Sequence, residues 1–327
     1  MSTETFSFLD LRQADPSDEG KSVKYTLNGL LEGRVGMLIA APSIGKSHFM
    51  LSLAIEHASS ERLVGLSASP TPQKTLYLSS EDSIEILTQR IQDKASDLSQ
   101  KTLAELDTHL DIMICEEPLV INSSAPEQSA SHERFLVELE QRFSEYSLVI
   151  IDTVTESIGE CDEVKDDRKI KNTFSRLANK SGASVVLVHH VNKSEIHGLQ
   201  KITMASGAGL TSIMRLAKFL VALTHDGESL VLKFLKSNYL SKQESQDIPL
   251  SWNHHLLTSA KVDSECSVMP TPPQEAPLDQ QTSTVAPVVK AKKSKRVSSR
   301  IKNDPRSIKI RGIDKKDSKE DDMRNVL

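Results

Sequence analysis

The chain has 327 residues, a hydrophobic fraction of 38% and a formal net charge of −5, room for one large domain or two small ones with part of the chain outside a packed core. Its three cysteines, Cys115, Cys161 and Cys266, show no CxxC pairing, which excludes a disulfide framework and a thiolate zinc site and fits a reducing cytoplasm. The N-terminus lacks a basic and then apolar leader, and no apolar run reaches the roughly 18 residues of a membrane span, so a cytoplasmic protein with no membrane partner is expected.

Charge is unevenly spread. Residues 285–327 hold 14 Lys and Arg against 6 Asp and Glu, which leaves 26 against 39 for residues 1–284. An acidic body with a basic tail points to a polyanionic partner for the tail or to a solubilising extension.

In chain order, residues 35–41 form a short apolar run ending in a Gly/Pro/Ser loop, as a buried strand does. Helical spacing follows over 48–58. A second strand is expected at 75–79 with a helix over 84–91, and a third strand at 110–115. Residues 117–131 read as a loop and 134–144 as a helix. The run 148–152 is apolar up to its terminal acid, 166–178 is helical, and 183–190 is again a strand. Segments 219–223 and 229–236 read as an antiparallel edge pair. Strands alternating with helices indicate a mainly parallel sheet. After about residue 260 the chain turns rich in Pro, Ser, Thr and Lys, and 261–327 is expected to be disordered.

The strongest chemical signal is Ala40-Ala-Pro-Ser-Ile-Gly-Lys-Ser47. A phosphate loop needs backbone N–H groups curled at a helix N-terminus, where the helix dipole favours anions. Ala41, Pro42, Ser43, Ile44 and Gly45 would supply that cradle, Lys46 would reach the β- and γ-phosphates of ATP, and Ser47 would ligate Mg²⁺. Ala40 departs from the pattern, which begins with Gly. Asp152 ends an apolar strand, as the carboxylate that holds the Mg²⁺ shell does. Hydrolysis also needs a carboxylate to position water. Glu81 is the candidate and Asp82 its competitor, and either could instead be a helix-start acid. His189 and His190 end the strand after Asp152, where a polar side chain can sense the γ-phosphate or serve structure alone.

The run Ala-Pro-Ser-Ile-Gly-Lys-Ser resembles the variant phosphate loop of DnaB-type replicative helicases. The wider pattern is similar to the RepA-like hexameric helicases of plasmids and phages within the RecA superfamily. It comprises Val35-Gly36, Tyr77-Leu-Ser-Ser-Glu-Asp82, Asp152-Thr153, Val188-His-His-Val-Asn-Lys193, Leu210-Thr-Ser-Ile-Met-Arg215 and Lys236-Ser-Asn-Tyr239. The resemblance implies an α/β fold: a RecA-like P-loop NTPase core over 1–260, with 1–24 as an N-terminal arm and 261–327 as the basic tail. It implies Glu81 as catalytic base, His189 as γ-phosphate sensor, and Arg215 as an arginine finger reaching the neighbouring subunit's site, with Lys236 approaching the same site. It further implies a hexameric ring acting on single-stranded DNA, contacted through Lys193 and Lys201, with the tail free to engage other replication proteins. Two departures bear on unwinding. Residues 154–163 are acidic where arginines are usual, and Ser206-Gly207 replaces an Arg-Gly. Central loops that pull DNA need cationic or aromatic contacts, so a regulator or loader that hydrolyses ATP without unwinding remains the alternative. A non-enzymatic nucleotide-binding module is disfavoured by the intact Lys46, Ser47, Asp152 and Glu81.

Overall fold

A computed structural model describes residues 23–122, 125–191, 210–259 and 310–312. Lys193, Lys201 and Ser206-Gly207 lie outside the described residues, as do residues 1–22 of the N-terminal arm and most of the tail. Among the described residues no helix is long and apolar enough to cross a membrane.

The chain enters through a small antiparallel pair, β1 (Tyr25–Leu27) and β2 (Leu30–Leu31). It then runs through β3 (Val35–Ala40), α1 (Lys46–Ala58), β4 (Thr75–Ser79), α2 (Ile84–Ser96), α3 (Gln100–His109) and β5 (Leu110–Ile114). Next come α4 (Pro126–Phe143), β6 (Leu148–Asp152), α5 (Val154–Ser157), α6 (Asp167–Ser181) and β7 (Ser184–His190). The described part closes with α7 (Thr211–Leu216), β8 (Phe219–Asp226), β9 (Ser229–Ser237), β10 (Ile248–Asn253), β11 (Leu256–Ser259) and β12 (Ile310–Gly312).

Ten strands form one sheet in the order β11-β10-β9-β8-β3-β7-β6-β4-β5-β12. From β8 to β12 every pairing is parallel, and β8 through β11 pair antiparallel. The central strands β3, β4 and β6 are buried at every position, which is why they read as unbroken apolar runs: helices cover both faces of a parallel sheet. Strand alternation sorts their side chains into two cores. Leu38, Tyr77, Ile150 and Val188 pack with α1, α2 and α3 on one face. Met37, Leu78, Ile151 and Leu187 pack with α4, α5, α6 and α7 on the other.

The expected strands at 35–41, 75–79, 110–115, 148–152 and 183–190 are all present, and the mainly parallel α/β sheet is as expected. Three elements differ. Residues 126–131, read as loop, belong to α4. Proline at the first helical position supplies the start, since its fixed φ suits N1 and its missing N–H costs nothing there. The first two turns carry no apolar period because they are exposed. Second, β8 and β9 are not an edge, since the β10–β11 hairpin continues the sheet beyond them. Third, Ile310–Gly312, inside the stretch expected to be disordered, pairs in parallel with Ile112–Ile114 of β5.

Candidate nucleotide site

The loop between β3 and α1 has the backbone of an anion cradle. Ser43 and Gly45 take positive φ, 62° and 103°, turning successive N–H groups inward. Gly45 is the N-cap of α1 and provides no side-chain cap, and the first turn of α1 contains no acid. The free N–H groups of that turn therefore face an end of the helix that favours an anion.

Lys46 is 7% exposed. Burial pushes its pKa down, while the carboxylates of Asp152 and Glu81 push it up. Asp152, at the end of β6, is 2% exposed. Burial raises its pKa, opposed by hydrogen bonds from Tyr77 and Ser47 and by the charge of Lys46. The Tyr77 hydroxyl donates to Asp152 Oδ2, fixing the carboxylate and leaving Oδ1 buried with no partner. Ser80 Oγ, Thr153 Oγ1, His48 Nδ1 and His190 Nδ1 are likewise buried without hydrogen-bond partners. All belong to the phosphate loop's helix or to the ends of β4, β6 and β7. Orphaned buried polar atoms are costly and rare, and here they surround the phosphate cradle. Such a donor set fits a hydrated Mg²⁺ and a polyphosphate.

Glu81 and Asp82 differ in their partners. Arg90 of α2 forms an ion pair with Asp82, so Asp82 is engaged in structure. Glu81 keeps a half-exposed side chain and lies 3.9 Å from His190 Nε2. Burial, with Asp152 adding, raises its pKa, opposed by Lys46. A carboxylate with raised pKa beside the cradle is suited to orient and deprotonate water.

Alternation along β7 separates the histidine pair. His190 has the parity of Val186 and Val188, which pack on the α1 face, and Lys46 is among the groups that lower its pKa to about 4, after burial itself. His189 has the parity of Val185 and Leu187 on the opposite face, where its Nδ1 is 3.7 Å from Glu163 Oε1. The structure thus brings Lys46, Ser47, Glu81, Asp152 and His190 together and sets His189 apart; β7 is apolar at both parities, so its sequence does not mark which histidine turns toward α1.

Arg215, exposed at the end of α7, is not part of this cluster within one chain. Asp167 accepts from Ser212 N at 2.9 Å and from Thr211 Oγ1 at 3.3 Å, fixing the start of α7. Lys236 Nζ donates to the carbonyls of Met214 and Arg215 at 3.2 and 2.9 Å, fixing its end. Lys236 is therefore engaged in holding the segment that carries Arg215. The best-formed cavity, about 820 Å³, lies elsewhere: Glu117, Val120, His132, Phe135 and Gly159 line it on the α4 side of the sheet, away from the phosphate loop.

Among solved structures, the chain is similar to an isolated ATPase domain, with a TM-score of 0.53 and 11% identity over 69% of this chain and 85% of that one. It is also similar to a DnaB-like replicative helicase solved with attention to its interactions with primase. There the TM-score is 0.52 and the identity 10%, over 69% of this chain and 59% of that one, so the chain spans less than two thirds of that protein. No curated protein sequence matches it. These likenesses establish a shared fold. Residues 2–195 match the AAA domain family, well over half of the chain, and since the matched span contains the phosphate loop, Glu81 and Asp152, this protein belongs to that family of ATPases.

Proposed function

We propose that the protein is a ring-forming replicative helicase of plasmid, phage or mobile-element type, which hydrolyses ATP between subunits and translocates on single-stranded DNA. The observation that carries the reading is the placement of Glu81 beside Lys46 and His190, with Asp82 withdrawn into its pair with Arg90. This geometry suits hydrolysis better than nucleotide storage. Lys46 and the backbone N–H groups of 43–47 bind the phosphates of ATP. Glu81 orients water and accepts its proton, and His190 hydrogen-bonds the γ-phosphate from the same face, taking the sensing role expected of His189. Ser47 and Asp152 would hold Mg²⁺, which when bound neutralises charge on the β- and γ-phosphates. Arg215, held on a segment tied at both ends, serves the neighbouring subunit's site. DnaB-like fold relatives support the choice of a DNA motor.

A second reading keeps the ATPase and removes unwinding. The acidic segment after Asp152 favours it: Glu163 Oε1 accepts from Thr155 Oγ1 at 2.9 Å and pairs with His189, so carboxylates are built in near the end of β6, where DNA-pulling loops would need cations. ATP hydrolysis by the full chain with and without single-stranded DNA, followed by strand displacement, separates the two. Strong stimulation with displacement is the expected result, and stimulation or basal turnover without displacement transfers the assignment to a regulator or loader. Glu81→Gln should lower turnover by about 10²- to 10⁴-fold with ATP binding retained. Wild-type turnover in that variant would remove Glu81 as the base.

A further inference from the structure

Trp252 is the only tryptophan of the chain, lies on β10, and is 51% exposed. Its ring meets His48 edge-on, with centroids 5.3 Å apart and planes at 76°, and its Cζ2 lies 3.7 Å from where a Cβ on Gly45 would stand. The indole thus lies half in water against the mouth of the phosphate cradle, an amphipathic ring of the kind that serves at contact surfaces.

The hairpin that carries it is firmly placed. Leu256 and Leu257 of β11 pack into the α1-side core. Leu257 N donates to Ser52 Oγ of α1 at 3.2 Å. At the hairpin tip Lys94 Nζ donates to His255 O at 2.8 Å, and His255 N donates to Asp97 Oδ2 at 2.9 Å. The indole is thus anchored to α1 and α2 while one side stays open. His48 follows Ser47 directly in the first turn of α1, beside the residues that would hold the phosphates. Its Nδ1 is buried without a hydrogen-bond partner.

We infer that Trp252, braced by His48, is the platform on which the base of the bound nucleoside triphosphate stacks. The inference rests on the phosphate loop being a nucleotide site, and it adds the residue that holds the nucleoside end. An aromatic platform reads a π-face and contributes a substantial share of binding.

The single tryptophan provides its own probe. Emission of the full-length protein is followed while Mg²⁺ with ATP, or with inorganic tripolyphosphate, is added, and affinities for both are measured by calorimetry for the wild type, Trp252→Ala and Trp252→Phe. ATP should quench emission saturably and tripolyphosphate far less. Trp252→Ala should weaken ATP by roughly tenfold to a hundredfold with tripolyphosphate within about twofold of wild type, and Trp252→Phe should recover most of the loss. Equal emission changes with the two ligands, equal weakening of both by Trp252→Ala, or no weakening of ATP would overturn the platform and leave the indole a prop for the loop. If tripolyphosphate and ATP both fail to bind the wild type, the phosphate-loop reading itself falls and the platform with it.

Discussion

His57, in the last turn of α1, is held at both ring nitrogens, Nδ1 3.0 Å from Ser67 Oγ and Nε2 2.9 Å from Ser147 Oγ. Burial, with Arg62 adding, lowers its pKa to about 4. The unfolded chain therefore takes up this proton first as pH falls. The stabilisation is complete above about 6.5 and is lost progressively down to about 4. The wild type should lose about 2 kcal/mol of unfolding free energy through this group between pH 7.5 and 5. Urea unfolding at the two pH values, compared with His57→Asn, checks it, and an equal pH slope in both proteins would refute the assignment. At this scale the sequence was informative where a motif marks residues that meet in the fold, as at Lys46, Ser47 and Asp152. It was silent where a role depends on which face a strand turns. The histidine doublet offers no local clue that His190 and not His189 faces Lys46, and nothing near Trp252 signals its contact with His48, some two hundred residues away.

The element that most repays inspection is α1, because 11 of its 13 residues are buried. Its hydrophobic pattern could not be one-sided, since strands, the β10–β11 hairpin and the segment 60–67 cover it all round. That segment is organised by Glu56, 2% exposed. Oε2 accepts from the backbone N–H groups of Leu63, Val64 and Gly65 at 2.6–2.8 Å, and Oε1 from Leu66 and Ser67 at 2.6–2.7 Å. Five backbone donors, four of them buried, depend on one carboxylate, and hydrogen bonds to a charged group are the stronger kind. Glu56→Ala should destabilise the protein by about 3 kcal/mol or more, read as a fall in melting temperature. A loss below about 1 kcal/mol would show that water replaces the carboxylate freely. Apolar strands were legible because burial on both faces leaves a continuous signal. By contrast α3, with three buried residues in ten, and the exposed start of α4 were not, because solvated turns need no periodicity.

At the scale of the assembled molecule, Arg215 separates a ring from a monomeric ATPase. It is exposed, and its segment is tied by Asp167 at the start and Lys236 at the end. In the proposed ring this side chain would meet a neighbour's nucleotide, and an arginine supplied in trans contributes about 10³- to 10⁵-fold to turnover. Arg215→Ala should retain ATP binding and lose hydrolysis. Titrating it into wild-type protein should depress activity more than dilution does. A strictly proportional decline would place the defect within one chain and remove the finger.

The strand Ile310–Gly312 has a further consequence. β4 occupies one side of β5, and these three residues occupy the other, so the outermost row of backbone donors and acceptors in the parallel half of the sheet is covered by a piece of the tail. An uncovered edge is a template on which foreign strands assemble. The opposite end of the sheet is finished by β11, whose last residue, Ser259, is separated from Ile310 by only 50 residues of chain. Removal of the chain beyond Ser259 would therefore leave the β11 border as it is and bare the backbone of Ile112–Ile114, exchanging a three-residue edge for the whole of β5 as a template for foreign strands.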